Sequence, residues 1–280
     1  MLRSTFALTL LAIVACPAQA AESYDNCTGF IDSLPASIST QGTWCLRKDL
    51  TTAMSSGNAI EVKTNNVVID CNDFKIGGLA AGVTTLTTGI ASSAGRQNVT
   101  VRNCTVRGFQ FGTWLLGDNH VVEHSRFDVN TLVGIRTQGD GNEIRDNAVT
   151  STGGQPAAGV AIAIIANGTG GRVLDNRIHG VSAELDGSNQ LSAGLYVEDG
   201  VARGNTVSGL LPTGTPHGIR LYHSVARDNI VMQAGPSTGF GIICLMDGSE
   251  QPTGFSHHNT IRHFAAPHTN CNESDNAVEP

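Results

Sequence analysis

The sequence predicts an all-β chain wound as a single-stranded parallel β-helix of about eight or more turns, capped at both ends. Glycine is abundant, at 33 of 280 residues, while only 5% are aromatic and 15% charged. This composition is typical of many short strands joined by tight turns. Apolar and polar residues alternate in short runs, which indicates strands rather than helices. The runs recur about every 22 to 25 residues, the period of a solenoid with one repeat per turn.

Each predicted turn begins with a glycine, an apolar residue, any residue and often a second apolar one, as in "GIRT" at Gly134. The same start recurs, with Gly57 as a looser first member, at Gly89, Gly112, Gly134, Gly159, Gly194, Gly218 and Gly241. Stacked turns of short strands lie about 4.8 Å apart and satisfy one another's backbone groups.

A second repeated position, later in each turn, is most often asparagine. Its members are Asn72, Cys104, Ser125, Asn147, Asn176, Asn205, Asn229 and Asn259. Asparagine tolerates left-handed backbone at a sharp corner, and stacked amides can hydrogen-bond to one another, so we expect a ladder here. Two residues further on lies a large apolar residue, predicted to fill the interior: Phe74, Val106, Phe127, Val149, Ile178, Val207, Val231 and Ile261.

The chain begins with what resembles a secretory signal peptide. Residues 1–20 contain an apolar run followed by Ala18-Gln19-Ala20, so cleavage is expected near Ala20 and the mature protein is expected to be secreted or periplasmic. Alternatively, Cys16 in "IVAC" is lipidated and anchors the chain.

The rest of the chain is predicted to have three segments. An N-terminal cap is expected over 21–56, the β-helix over 57–263, and a C-terminal cap or tail over 264–280, because a solenoid must cover its open ends. No stretch of the mature chain has the ~18 uninterrupted apolar residues of a membrane helix, so no integral membrane segment is expected. The net charge of −7 argues against nucleic acid as a partner.

Several stretches resemble known β-helix turns, namely "NNVVIDCNDFKIGG", "QNVTVRNCTVRGF", "RGNTVSG" and "RDNIV". They are similar to turns of right-handed parallel β-helix proteins of the pectate-lyase-like superfamily. With "SLPASISTQGTWCL", the likeness is to exported bacterial β-helix-repeat proteins of undefined activity and covers about residues 26 to 271. The resemblance implies a right-handed β-helix. It leaves function open, since the fold hosts pectate and alginate lyases, polygalacturonases, epimerases, tailspikes and binding modules.

Six cysteines remain after removal of the signal peptide. In an exported chain they predict three disulfides, although fifteen pairings are possible. Their places in the repeat lead us to expect the pairs Cys27–Cys45, Cys71–Cys104 and Cys244–Cys271. Buried free thiols are the alternative.

Length variation is concentrated before the start of each turn, in residues 77–88, 151–158, 181–193 and 210–216. These insertions should leave the rod at one corner and form a wall beside the first strand. Insertions kept to one edge of a solenoid are commonly its binding side.

The outward positions of the first strand are therefore the candidate binding face. One file is predicted to contain Ala91, Trp114, Arg136, Ala161 or Ala163, Tyr196, Arg220 and Ile243. A parallel file contains Leu116, Gln138, Glu198, Tyr222 and Leu245. Aromatic faces stack on sugar rings and arginine grips carboxylates or hydroxyls. We accordingly predict glycan contacts from Trp114, Arg136, Tyr196, Glu198, Arg220 and Tyr222. The alternative is that aromatic residues are simply favoured on any sheet surface.

The outward positions of the second strand alternate in charge and then lose that alternation. They are Asp70, Arg102, Glu123, Arg145, Leu174, Arg203, Arg227 and His257. The first four predict a ladder of ion pairs with a structural role. Arg203 and Arg227 are left unpaired and could hold an anionic ligand.

One predicted turn gathers candidate catalytic groups, His217, Arg220 and His223. A lyase could use a histidine, or Tyr222, as base and an arginine to neutralise a uronate. The alternative is that these are ordinary solvated side chains. His257, His258 and His263 lack the spacing that would converge on a metal, so no metal site is predicted.

The sequence departs from the enzymes that it resembles. It has no Asp-Asp pair and no Asn-Thr-Asp, and only "PHGI" at His217 stands for the Gly-His-Gly of polygalacturonases. The lyase-like strand "NHVVEHSRFD" has no acidic cluster beside it to hold Ca²⁺. No cofactor is therefore expected, Ca²⁺ being the one candidate.

Three functional classes follow. The first is an exported protein that binds extracellular polysaccharide without a complete hydrolase site. The second is an enzyme acting on an acidic glycan, either a lyase, favoured over a hydrolase, or an epimerase. The third is a structural or adhesin-like rod. The sugar and the oligomeric state stay open.

Overall fold

The computed structural model describes residues 24–156, 158–183, 191–211, 215–248 and 252–279. The predicted signal peptide and the alternative anchor at Cys16 lie outside these residues. The described chain is the predicted right-handed parallel β-helix, with all strands in one continuous parallel ladder. Among these residues one short 3₁₀ turn, Leu79–Ala81, is the sole helical element.

The strands are short and follow one another closely. The first fourteen are β1 (Gly29–Phe30), β2 (Ala36–Ile38), β3 (Gly42–Cys45), β4 (Leu50–Thr51), β5 (Ser56–Val62), β6 (Val67–Asp70), β7 (Lys75–Gly77), β8 (Leu86–Ser92), β9 (Arg96–Gln97), β10 (Val99–Arg102), β11 (Thr105–Arg107), β12 (Phe111–Asp118), β13 (Val121–Glu123) and β14 (Arg126–Asp128). The others are β15 (Val133–Gln138), β16 (Glu143–Arg145), β17 (Ala148–Gly153), β18 (Val160–Leu174), β19 (Arg177–Ser182), β20 (Leu191–Arg203), β21 (Thr206–Leu210), β22 (Thr215–Tyr222), β23 (Val225–Arg227), β24 (Ile230–Cys244), β25 (Phe255–His257), β26 (Thr260–Thr269), β27 (Asn272–Ser274) and β28 (Ala277–Glu279).

Each turn presents three faces, as β12, β13 and β14 illustrate, and each face pairs in parallel with the next turn. Sheet A, on the first face, comprises 36–38, 56–62, 86–92, 111–118, 133–138, 160–167, 191–198, 215–222, 237–244 and 264–269. Sheet B comprises 29–30, 42–45, 67–70, 99–102, 121–123, 143–145, 172–174, 200–203, 225–227, 255–257 and 272–274. Sheet C comprises 50–51, 75–77, 105–107, 126–128, 148–153, 177–182, 206–210, 230–232, 260–262 and 277–279.

Parallel pairing extends past both ends of the predicted 57–263 segment. Strand β3, within the predicted cap, already pairs Trp44 with Ile69 of β6. At the other end β27 and β28 pair with β25 and β26. The C-terminal outer turn also continues the asparagine ladder, since Asn276 Oδ1 accepts a hydrogen bond of 2.9 Å from the backbone N–H of Asn259.

The interior is a column of apolar side chains. Val149, Ile178 and Val207 are in register and almost fully buried. One predicted member of the column is wrong: Ile76, not Phe74, pairs with Val106. The corner after Asp70 contains more residues than the corner after Arg102 in the next turn. Strand β7 therefore begins later in the chain than the repeat predicts.

The glycine that starts each turn sits where there is no room for a side chain. A Cβ on Gly134 would lie 2.5 Å from Val149 Cγ1. The register corrects two predicted starts. Ala59, rather than Gly57, is aligned with Gly89, and Ala163, rather than Gly159, is aligned with Gly134.

The predicted asparagine ladder is confirmed at the corner between sheets B and C. Asn205 Oδ1 accepts a hydrogen bond from the backbone N–H of Asn176 at 3.0 Å, and its Nδ2 donates to Val173 O at 2.9 Å and Asn229 Oδ1 at 3.0 Å. The left-handed residue, however, is the one before the asparagine, for example Asp146 with φ 56°. The asparagine amide therefore points inward and serves hydrogen bonding rather than backbone conformation.

The three predicted disulfides are confirmed as Cys27–Cys45, Cys71–Cys104 and Cys244–Cys271. Two of them tie the terminal turns of the stack, where the ladder has a neighbour on one side only. No helix in the described part of the chain has the length and apolarity to cross a membrane.

We expect Asn205→Ala to lower the free energy of unfolding by about 3 kcal/mol, because it leaves buried backbone groups of two turns without partners. Urea denaturation measures this. The matched control is Asn272→Ala, at an exposed position of β27, which should change stability by less than about 0.5 kcal/mol. Equal stability of the two variants would contradict a structural role for the ladder.

Candidate functional site

The predicted outward file exists on sheet A with one correction. Trp114 pairs with Arg136, and Tyr196 pairs with Arg220, in neighbouring turns. The position between Arg136 and Tyr196 is Ile165. Ala161 and Ala163, predicted there, are fully buried. The insertion before β18 shifts the register of that turn. The residue aligned with Arg136 therefore lies further along the chain than the local pattern predicted.

The parallel file also exists and contains a residue that the sequence analysis missed. Gln138, Asn167, Glu198 and Tyr222 are in register across four turns. Asn167 Nδ2 donates a hydrogen bond of 2.5 Å to Glu198 Oε2. Both Gln138 and Asn167 are followed by a glycine, and Gly139 and Gly168 stack on each other. This shared glycine is the sequence signal that could have aligned Asn167 with Gln138.

One end of this face carries an aromatic cluster. The rings of Phe111 and Trp114 lie 4.8 Å apart, and the guanidinium of Arg136 lies 4.7 Å from the centre of the Trp114 ring. Such a cation–π contact contributes about 0.5 to 1 kcal/mol at an exposed site. Partial burial lowers the pKa of Arg136. Among the described residues, Trp114 Nε1 and Arg136 Nε are buried and have no hydrogen-bond partner.

A groove of ≈ 510 Å³ runs beside the aromatic cluster. Its lining combines an indole, a phenyl ring, small side chains and one carboxylate, from residues that include Asn58, Glu61, Thr88, Ala91, Phe111 and Trp114. The groove is open and mixes apolar and hydrogen-bonding groups.

The other end of the face carries Tyr196, Arg220 and His217. Arg220 Nη1 lies 3.1 Å from His217 Nδ1. A guanidinium only donates, so Nδ1 accepts and the imidazole carries its proton on Nε2. The His217 ring also meets the Phe240 ring edge to face, with centroids 5.0 Å apart. This contact with Phe240, on the next turn, was not predicted.

Burial dominates the acid–base properties of this end. It lowers the pKa of His217 to about 4, with a further contribution from the charge of Arg220. Burial also lowers the pKa of Arg220. The pKa of Tyr196 is raised, first by burial and then by the negative charge of Glu198. At neutral pH the site thus presents a neutral imidazole, a protonated phenol and a cationic guanidinium.

His223 does not join this group. Its imidazole lies at the corner between sheets A and B, where Nδ1 is 3.4 Å from Asp199 Oδ1 and Nε2 is 3.6 Å from Asp247 Oδ2. The Tyr222 ring stacks on it at 4.1 Å. The structure therefore brings together two of the three predicted catalytic residues and holds the third at a corner.

The described residues contain no group of three or more histidine, cysteine, aspartate or glutamate side chains arranged to hold a metal ion. His257 and His258 lie side by side, with 3.4 Å between their Nδ1 atoms. His263 is held elsewhere, its Nδ1 being 2.8 Å from Gln233 O.

The insertion wall is described in part. Residues 77–88 leave sheet C and return as β8 at the edge of sheet A. Residue 157 and residues 184–190 and 212–214, in the other predicted insertions, lie outside the described residues.

We expect the pKa of His217 to make stability depend on pH. Because the folded-state pKa, about 4, is below the ordinary 6.5, the unfolded chain binds a proton that the folded chain does not between these values. The free energy of unfolding should fall by roughly 2 to 3 kcal/mol as pH drops from 7 to 4, and His217→Gln should remove this part of the fall. Urea denaturation at both pH values is the measurement, with the exposed His124→Gln as control. A His217 resonance titrating near pH 6.5 in NMR would contradict the prediction.

The family model described as "Right handed beta helix region" matches residues 38–210 and, in a second alignment, 88–277. No curated protein shows significant sequence similarity to the chain.

Solved structures show the same fold at low sequence identity. The enzymatically active domain of bacteriophage CBA120 tailspike protein 2 aligns with a TM-score of 0.54 and 13% identity, over 82% of this chain and 38% of that one. The GH136 lacto-N-biosidase of Eubacterium ramulus aligns with a TM-score of 0.52 and 10% identity, over 85% and 49%. The Azotobacter vinelandii mannuronan C-5 epimerase AlgE4 A-module aligns with a TM-score of 0.49 and 12% identity, over 90% and 87%. The chain spans less than two thirds of the first of these structures.

Proposed function

Because the chain belongs to the right-handed β-helix family, we propose that sheet A is a binding face for an extended acidic polysaccharide. The observation that carries the proposal is the straight file of Trp114, Arg136, Tyr196 and Arg220, half-buried side chains on one face of the stack. From Trp114 to Arg220 the file crosses four turn spacings, or roughly 19 Å. A ligand that contacts both ends must be elongated.

The chemistry of the two ends supports an acidic sugar chain. The Trp114 and Tyr196 rings offer faces for stacking, and the Tyr196 hydroxyl can hydrogen-bond to sugar hydroxyl groups. Arg136 and Arg220 form no ion pair with any carboxylate among the described residues. Each is therefore free to bind a ligand carboxylate in the forked geometry that suits guanidinium.

The solved structures of similar fold agree with a function related to glycans. One is a lacto-N-biosidase, and another is the enzymatically active domain of a tailspike. Their identity to this chain is low, so their activities are not transferred to it. The proposal rests on the sheet A side chains.

We also propose that the chain acts outside the cytoplasm. Its three disulfides are stable in oxidising compartments and rare in reducing ones. Together with the signal-like residues 1–20, they support a secreted or periplasmic protein cleaved near Ala20.

The proposal predicts that Tyr196→Ala combined with Arg220→Ala weakens binding of an acidic polysaccharide by at least ~10-fold, since a stacking contact and a charged hydrogen bond are both lost. A glycan array with the parent chain identifies the ligand, and titration calorimetry measures the affinity.

The matched control is Phe255→Ala combined with Arg177→Ala, which removes an exposed aromatic ring and an exposed arginine from sheets B and C. Its affinity should equal that of the parent chain. Loss of binding in the control, or full binding by Tyr196→Ala/Arg220→Ala, would place the glycan on another face.

A second candidate function is β-elimination or epimerisation on a uronate. The contact between His217 and Arg220, beside the protonated Tyr196, favours it. Arg220 would neutralise the uronate carboxylate, which releases His217 Nδ1 to take the proton from the sugar carbon. Tyr196 would give its proton to the leaving glycosidic oxygen in elimination, or to the opposite face of the carbon in epimerisation. An absorbance assay for unsaturated uronate, and proton exchange followed by NMR, separate turnover from binding. A ligand that binds and undergoes neither reaction excludes this candidate.

A further inference from the structure

Sheet B changes its electrostatic character along the stack. In the N-terminal turns the outward charges alternate and pair, as predicted: Arg102 Nε lies 2.8 Å from Asp70 Oδ2, and Arg145 contacts Glu123. Leu174 then ends the alternation. The next two outward positions, Arg203 and Arg227, face the same way on neighbouring strands and are directly in register.

Neither of these two guanidiniums has a partner. Across the described part of the chain, Arg203 and Arg227 make no side-chain hydrogen bond and no carboxylate lies within ion-pair distance of either. Two like charges directly opposite each other, about 4.8 Å apart at the backbone, repel and destabilise the pair of strands. The repulsion between the two unpaired guanidiniums therefore destabilises the fold, and a bound anion would remove it.

The two arginines line a cleft of ≈ 350 Å³ at the corner between sheets A and B. Three glycines, Gly170, Gly171 and Gly200, contribute to its lining, and a Cβ on Gly170 would meet nothing within 4 Å. A third guanidinium, Arg172, lies at its edge and is already paired with Glu143 at 3.1 Å.

The carboxylate in the cleft wall does not neutralise the arginines. Asp199 is directed to His223, with 3.4 Å between Oδ1 and Nδ1. The groups that face the cleft are thus three guanidiniums, one imidazole and one carboxylate that is engaged by that imidazole. The surplus charge is positive although the chain as a whole carries −7.

We propose that this cleft is a second binding site that takes a tetrahedral oxyanion, a phosphate or sulfate group, independently of the polysaccharide face on sheet A. Two adjacent guanidiniums can each donate paired hydrogen bonds to a dianion, and the dianion balances both charges. The oxyanion can be a free ion or an ester group of a larger ligand. The cleft is open to solvent along one side and accommodates either.

The test is a thermal melt of the parent chain at constant ionic strength, in which sodium chloride is replaced by inorganic phosphate, sulfate or methyl phosphate, with acetate as a monoanionic carboxylate. A saturable rise in Tm is expected with phosphate, sulfate and methyl phosphate, and a smaller one with acetate. Arg203→Gln combined with Arg227→Gln should abolish the rise and weaken phosphate binding, followed by ³¹P NMR, by at least ~10-fold.

The matched control is Arg126→Gln combined with Arg177→Gln, which changes the net charge equally on sheet C. Like the cleft arginines, these two side chains have no ion pair in the described part of the chain, but they lie outside the cleft and are separated by the turn of Ala148. The control should keep the parent response to phosphate. In chloride alone, the cleft variant should melt above the parent, since it removes a repulsion; the single variants Arg203→Gln and Arg227→Gln provide the same readout separately.

An unchanged phosphate response in the cleft variant, or an equal loss in the sheet C control, would overturn the proposal. The sheet A variant Tyr196→Ala/Arg220→Ala should respond to phosphate as the parent does, so failure of the polysaccharide proposal leaves this one standing. A stronger response to methyl phosphate than to inorganic phosphate identifies an ester group as the ligand; the reverse identifies the free ion.

Discussion

Parallel pairing of every turn with the turns before and after it is the constraint on which the molecule depends. Interior strands satisfy their backbone groups only through these neighbours, as Thr100 does between Val68 and Val121. The spacing of about 4.8 Å between turns is therefore the same for all three sheets. A change of length can be absorbed at a corner, but not within a strand, without breaking the ladder.

This constraint explains why the interior accepts so little variation. Glycine, or alanine in the turns of Ala59 and Ala163, occupies the start of sheet A, and at Gly134 or Gly194 even a Cβ would meet a valine of the same turn. Buried asparagines close the corner between sheets B and C, each bonded to the next, so that the loss of one disturbs two turns. The apolar column and the amide ladder both repeat one kind of side chain from turn to turn, at the fixed spacing that backbone pairing sets.

The same constraint turns each outward position into a straight file, and the files of different sheets have different chemistry. On sheet B, the N-terminal turns place acid beside base and neutralise themselves. On sheet A, and in the C-terminal turns of sheet B, arginines such as Arg136 and Arg203 stand without a carboxylate among the described residues. Side chains that are not satisfied within the fold are free for a ligand, which is why the two proposed sites lie on these surfaces.

The sequence itself determined much of the fold and of the candidate binding face. The repeat of glycine and asparagine, the period-two alternation and the paired cysteines predicted the fold class, the amide ladder and all three disulfides, because each of these signals is local and recurs in every turn. The outward placement of Trp114, Arg136, Tyr196 and Arg220 followed from the same alternation.

Only the tertiary structure decided the register where corners differ in length. It placed Ile76 rather than Phe74 in the interior, Ile165 rather than an alanine on sheet A, and His223 at a corner away from His217. It also revealed that the Arg203–Arg227 pair borders a cleft. A repeat pattern reports which residues alternate within a strand. How many residues a corner consumes before the next strand begins is determined by pairing with the turn already in place.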